Sequence, residues 1–195
     1  MENPINYRPT KAIIDLQAIE HNLISLRQHI GNAIQIIAVV KANAYGHGDV
    51  EVARTAIQAG ATMLAVATPD EAVHMRENFK DIDILVLGAT PPNFIPFASQ
   101  ENIILTVFSA SWLESAQQYT PLANPLKLHI KVDSGMGRIG VSTKEELMEL
   151  YEAIVIPNDF ILDGIFTHFA TADEEDPLYF DNQVTLFKDF LSVLP

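Results

Sequence analysis

The sequence contains no cysteine among its 195 residues. That excludes disulfides, thiol catalysis and thiolate metal sites, and it suits a reducing compartment. Basic residues are scarce. Twelve Lys and Arg against 25 Asp and Glu leave a formal net charge of −13. A surface that acidic repels phosphate backbones and anionic lipids, which argues against nucleic-acid binding and membrane-surface roles. Long apolar runs are missing as well, since none approaches the roughly 18 residues of a membrane span. The segment Met1–Lys11 is polar, carries two prolines and lacks the basic-then-apolar order of a secretory signal. These absences predict a soluble, cytoplasmic protein. What is present fits a globular chain, with 48% hydrophobic and 19% charged residues and enough length for one good core.

Short apolar runs rich in β-branched residues recur along the chain: Ile36–Val40, Met63–Ala67, Ile82–Leu87, Ile103–Val107, Leu126–Val132 and Leu162–Phe166. The intervals leave room for a strand, a helix and two loops. The runs read as apolar on both faces, as parallel strands covered by helices should be. Helix-start signals fall between them. Thr68-Pro69-Asp70-Glu71 offers a cap, a first-turn proline and a glutamate, and Ser142-Thr143-Lys144-Glu145 reads as a second capping box with Ser142 as the cap. Asp15 can cap a helix that turns Ile19, Leu23 and Leu26 inward, and Gly60 suits the end of a helix from Val50 to Ala59. A strand-like run at 10–16, chiefly Ala12–Leu16, precedes six βα units, the last closing with a helix from about Pro177 to Leu194. Strict alternation means a doubly wound sheet or an eight-stranded barrel. Six units do not close such a barrel, and no linker or charged tail marks a domain end. The expectation is one domain over 1–195 that is incomplete.

The most informative string is Ala38-Val39-Val40-Lys41-Ala42-Asn43-Ala44-Tyr45-Gly46-His47-Gly48. A lysine directly after a buried strand sits at that strand's carboxyl end, where ligands collect in parallel α/β folds. Desolvation there lowers an amine's pKa, and the neutral amine is the form that condenses with an aldehyde. Gly46 and Gly48 permit tight backbone near that mouth, and Tyr45 adds an aromatic hydroxyl. Further on, Gly135-Met136-Gly137-Arg138-Ile139-Gly140 has dinucleotide-fingerprint spacing. It follows a late strand and precedes the next helix cap, so a glycine-rich loop is the better reading. Lys131 and Arg138 put two cations near one strand end, an expensive pairing unless an anion joins them. The acidic cluster Asp173–Asp176 lacks the spacing of a calcium loop. The histidines show no metal-ligand spacing, and no metal site is expected.

The Ala38–Gly48 string resembles the lysine motif of the alanine racemase family, which belongs to the fold-type III pyridoxal-phosphate (PLP) enzymes. Three further segments agree in order and approximate spacing: Ile84–Gly88, Lys131–Gly140 and Phe166–Asp173. The resemblance runs from about residue 10 to the last residue. It implies an α/β fold, a PLP-binding (β/α)8 TIM barrel truncated after about six βα units, with 10–16 pairing with an absent C-terminal β domain. It implies Lys41 as the catalytic, cofactor-joining lysine, with Tyr45, Leu87 and His168 around PLP. Arg138 would face the cofactor's phenolic oxygen and the substrate, and Lys131 matches a lysine that is often N-carbamylated. The implied activity is interconversion of L- and D-alanine, which supplies D-alanine for peptidoglycan. The implied assembly is a homodimer in which a tyrosine of the partner's C-terminal domain is the second base. A chain without the later strands is expected to bind PLP weakly and to be inactive alone. Two alternatives share the fold: another fold-type III racemase or decarboxylase, and a single-domain barrel with a role in PLP homeostasis.

Overall fold

The computed structural model describes residues 9–156 and 158–195. Most of the polar segment Met1–Lys11 therefore lies outside the described residues. Six strands carry the fold: β1 (Ile37–Val39), β2 (Met63–Val66), β3 (Asp83–Val86), β4 (Ile103–Val107), β5 (Leu126–Lys131) and β6 (Phe160–Phe166). They pair in sequence order, every pair parallel, with registers such as Ala38↔Leu64, Leu85↔Ile104 and Leu105↔Leu128. Helices connect them: α1 (Leu16–Ile30), α2 (Lys41–Gly46), α3 (Asp49–Gln58), α4 (Pro69–Asn78), α5 (Ile95–Gln100), α6 (Ala110–Gln117), α7 (Lys144–Val155) and α8 (Leu178–Leu191). All six expected strands and the βα alternation are present.

The pleat sorts side chains to two faces with a period of two. Leu64, Val66, Ile84, Val86, Leu126, Leu128 and Ile130 belong to the large core beneath the helices. Met63, Ala65, Leu85 and Ile104, with Leu87 against them, form a smaller cluster on the other face. The sequence expectation of runs apolar on both faces holds for β2, and it fails for β5. There the positions alternating with the core residues are Lys127, His129 and Lys131. Lys127 Nζ lies 3.3 Å from Asp83 Oδ1, and His129 Nε2 lies 3.0 Å from Asp163 Oδ2. The inner face gathers hydrogen-bonded polar side chains where the helix-facing side cannot.

Several local expectations need correction. Residues 10–15 have no strand partner among the described residues, the partner expected for 10–16 being a C-terminal β domain. Leu16 opens α1, where the Asp15 carboxylate accepts from the amides of Gln17 and Ala18. An extended run with no neighbouring strand has nowhere to place its backbone groups. Along α1, Ile19 and Leu23 are half-buried as expected, whereas Leu26 is exposed and Ile30 packs in its place. The α7 cap is Thr143, not Ser142, with Glu146 as its capping-box partner. Ser142 and Thr143 both donate their amides to Glu146, so the one-residue shift follows from which hydroxyl meets the N3 amide. The Thr68 box of α4 forms as read.

At the amino ends of β3 and β4, buried Arg76 donates to the carbonyls of Phe79, Lys80, Ile82 and Asn102 at 2.8–2.9 Å. One guanidinium thus fastens two strand entries to α4. Arg76→Met should lower stability by about 3 kcal/mol in urea unfolding, because it orphans buried carbonyls.

Candidate functional site

The carboxyl ends of the strands meet at a cavity of about 560 Å³. Its floor is apolar, with Ile37 and Val39 from β1, Ala65 from β2 and Leu85 from β3. Its rim carries Lys41, Leu87, Lys131, Arg138 and His168. Every one of these rim residues ends or follows a strand, or lies in the loop after β5. The sequence reading of one shared mouth therefore holds for Lys41, Leu87, Lys131, Arg138 and His168. Tyr45 is the exception. Its ring centroid lies 6.0 Å from Lys41 Nζ, but the side chain is 63% exposed and does not line the cavity.

Lys41 opens α2, and residues 42–45 of that element wind left-handed, with φ between 49° and 57°. None of the four is glycine. For L-residues this hand costs roughly 1–2 kcal/mol each, so the surroundings must hold the turn in place. The Ala44 amide donates to Val40 O at 2.9 Å, and Gly48 N to Asn43 O at 3.0 Å. The Glu71 carboxylate of α4 accepts from Ala42 N at 2.7 Å. The sharp winding turns the chain away immediately after Lys41 and leaves its side chain at the rim.

The electrostatics are the reverse of the chain's overall charge. Lys41, Lys131 and Arg138 surround the cavity, and Asp133 is the nearby carboxylate. Its charge is held by the amides of Gly135 and Gly137 at 2.9 and 3.0 Å. Burial alone would push its pKa up, yet those amides and Lys131 bring it below the usual carboxylate value. Lys131 is 3% exposed and donates to Val132 O at 2.8 Å, with the Phe166 ring centroid 5.5 Å away. Burial, aided by Arg138 and opposed by Asp133, lowers its pKa to about 8. His168 is also lowered, first by burial and then by Arg138, Lys131 and Lys41, so its imidazole is neutral at pH 7.

The loop from Asp133 to Gly140 folds back, so that Val141 bridges Val132 and its amide donates to Lys131 O. An added Cβ at Gly140 would stand 2.7 Å from Asp133 N, which accounts for that glycine. Helix α7 begins only at Lys144, past the last glycine, and the dinucleotide reading stays rejected. Sequence reasoning missed what braces this loop. Buried Gln183 of α8 donates to Ser134 Oγ and His168 O, and accepts from Ala170 N. Ser134 and Thr167 share a 2.7 Å hydroxyl contact. It also missed the His129–Asp163 pair at the cavity wall. Nothing in the local pattern signals a partner 34 or 49 residues away.

A flat aldehyde with an anionic arm fits these residues. The cavity offers an amine at its rim, apolar side chains for a ring and an excess of cationic donors for an anion. Parallel strands with a ligand cleft at their carboxyl ends define a barrel-type (β/α) domain built to hold a small anionic molecule. The chain belongs to the alanine racemase N-terminal domain family, whose profile matches residues 14–195. It is 52% identical over 194 residues to alanine racemase of Anoxybacillus flavithermus, covering 97% of this chain and 50% of that protein. Alanine racemase of E. faecalis superposes with a TM-score of 0.90 at 44% identity, covering 93% of this chain and 50% of the other. Alanine racemase of Bacillus anthracis with bound L-Ala-P does so with 0.87 at 43% identity, covering 92% and 46%. The chain spans about half the length of these relatives.

The Lys131 shift makes stability depend on pH. The folded protein releases this proton near pH 8, whereas the unfolded chain keeps it to the usual 10.5. Across that window the unfolded state binds more protons, so stability rises with pH. In carbon-dioxide-free buffer, wild type should gain up to about 3 kcal/mol relative to Lys131→Met between those limits. Parallel urea titrations of the two proteins at each pH measure the difference, and a constant gap would refute the assignment.

Proposed function

We propose that this chain is the cofactor-bearing half of a PLP-dependent alanine racemase that interconverts L- and D-alanine. The observation that carries the reading is Lys41: an amine held at the end of β1 by a strained turn, at an apolar cavity flanked by Lys131, Arg138 and His168. PLP, when bound, supplies an electron sink for the charge left when the substrate's Cα loses its proton.

The chain's own residues divide the remaining work. Lys41 Nζ would hold the cofactor at its aldehyde carbon, with loss of water, and as the free amine would carry the proton to or from one face of the substrate's Cα. Leu87 packs against the ring, and Tyr45 contributes its hydroxyl from beside Lys41. Neutral His168 gives the cofactor's surroundings a hydrogen-bonding group without further charge. Arg138 binds the anionic oxygens on the substrate side. Lys131, whose lowered pKa raises its reactive neutral fraction, is the site for N-carbamylation. Its amine nitrogen bonds to the carbon of CO2 and loses a proton, and the resulting carboxylate holds Arg138.

The remaining parts of this reading rest on the family. They are a homodimer, a second base from the partner subunit, pairing of 10–16 with a C-terminal β domain, a cytoplasmic site of action and D-alanine supply for peptidoglycan. No membrane or nucleic-acid partner belongs to the reading. In the protein extended to the length of its relatives, Lys41→Ala should reduce alanine racemisation by at least about 10³-fold and abolish borohydride-trapped PLP at residue 41. Chiral chromatography and peptide mass spectrometry read the two outcomes. Substantial retained activity would end the assignment of Lys41.

A further inference from the structure

Three backbone amides converge on one carboxylate at the edge of the cavity. Glu71 Oε1 accepts from Ala42 N at 2.7 Å, and Glu71 Oε2 accepts from Ala67 N at 2.7 Å and Thr68 N at 3.3 Å. The Thr68 contact belongs to the capping box of α4, which a glutamate or glutamine at this position can complete. The Ala42 contact has no part in capping. It reaches the residue next to Lys41, inside the left-handed turn.

The other hydrogen bonds on residues 42–45 are local. Their partners are Val40, His47, Gly48 and Asp49. Among the described residues, Glu71 alone hydrogen-bonds to residues 42–45 from outside residues 40–49. Its second oxygen holds Ala67, which follows β2 and lines the same cavity as Lys41. One side chain therefore joins the mouths of β1 and β2, and it needs two accepting oxygens to do so. A glutamine has one. Its NH2 would face either the Ala42 or the Ala67 amide, donor against donor.

We propose that Glu71 is a positioning residue for Lys41: its carboxylate latches the left-handed turn after β1 to the end of β2 and so fixes where the Lys41 amine stands. This rests on Lys41 being the amine that joins PLP, and it assigns Glu71 a task distinct from capping α4.

The test compares Glu71→Gln with Thr68→Ala in the intact protein. Thr68→Ala removes the hydroxyl that caps Glu71 N at 3.3 Å and leaves Ala42 untouched. Three quantities are measured: the rate at which added PLP is trapped at Lys41 by borohydride, deuterium exchange over residues 41–46, and the urea unfolding midpoint. Glu71→Gln should slow trapping and speed exchange by about tenfold each, as loss of one charged hydrogen bond implies. Thr68→Ala should leave both within about twofold of wild type even where its midpoint falls as far. Parallel changes in the two variants, or wild-type exchange in Glu71→Gln, would overturn the latch. Should Glu71→Gln fail to fold, Glu71→Asp replaces it: one methylene shorter, it cannot span both mouths and should behave the same way. Wild type that traps no PLP at Lys41 would refute the reading of Lys41 instead, and exchange over 41–46 would still decide the latch.

Discussion

Parallel pairing from β1 to β6 is the constraint on which the cavity depends. With every strand pointing the same way, the residues that follow them arrive at one rim although they are scattered from position 41 to 168. The pleat then decides which of them look inward. On β5 the same alternation that sends Leu126, Leu128 and Ile130 under the helices sends Lys127, His129 and Lys131 to the inner face. A slip of one residue in that register would turn Lys127, His129 and Lys131 toward the covering helices and take Lys131 out of the cavity.

The rim concentrates positive charge on a chain whose net charge is −13. That arrangement is costly unless an anion completes it, and the local chemistry limits the cost. Burial brings the Lys131 pKa down to about 8, and burial and the neighbouring cations lower that of His168. Asp133, stabilised by the glycine-loop amides, supplies a negative charge beside Lys131. The amino ends of the strands show the opposite strategy. There a single side chain, Arg76, donates through its two terminal nitrogens to four carbonyl groups and serves the scaffold. A scaffold contact lies at one end of the sheet and the cavity at the other.

The site is also braced from outside the strands. Gln183 and Tyr179 reach from α8 to the loops that follow β5 and β6, with the Tyr179 hydroxyl donating to Gly135 O. Glu71 reaches from α4 to the turn that follows β1. Catalytic geometry at a barrel mouth requires loops held to a fraction of an ångström. Here long-range side-chain hydrogen bonds from the covering helices supply that hold.

Much of the scaffold was legible in the sequence because its causes are local. Apolar runs at βα spacing, the Asp15 and Thr68 caps and the lysine placed directly after β1 each act within a few residues, and each appears where expected. The rim residues Lys41, Leu87, Lys131, Arg138 and His168 were legible because their position relative to a strand end decides where they go. Residues 10–15 pair with no strand among the described residues, since the partner expected for 10–16 is a C-terminal β domain. Tyr45 stands off the cavity because a left-handed turn of four non-glycine residues rotates it away, and no propensity rule anticipates that turn. The His129–Asp163 pair, the Gln183 brace and the Glu71 latch were decided by tertiary structure alone. Hydrogen bonds between residues tens of positions apart exist only once parallel pairing has brought their strands and helices side by side.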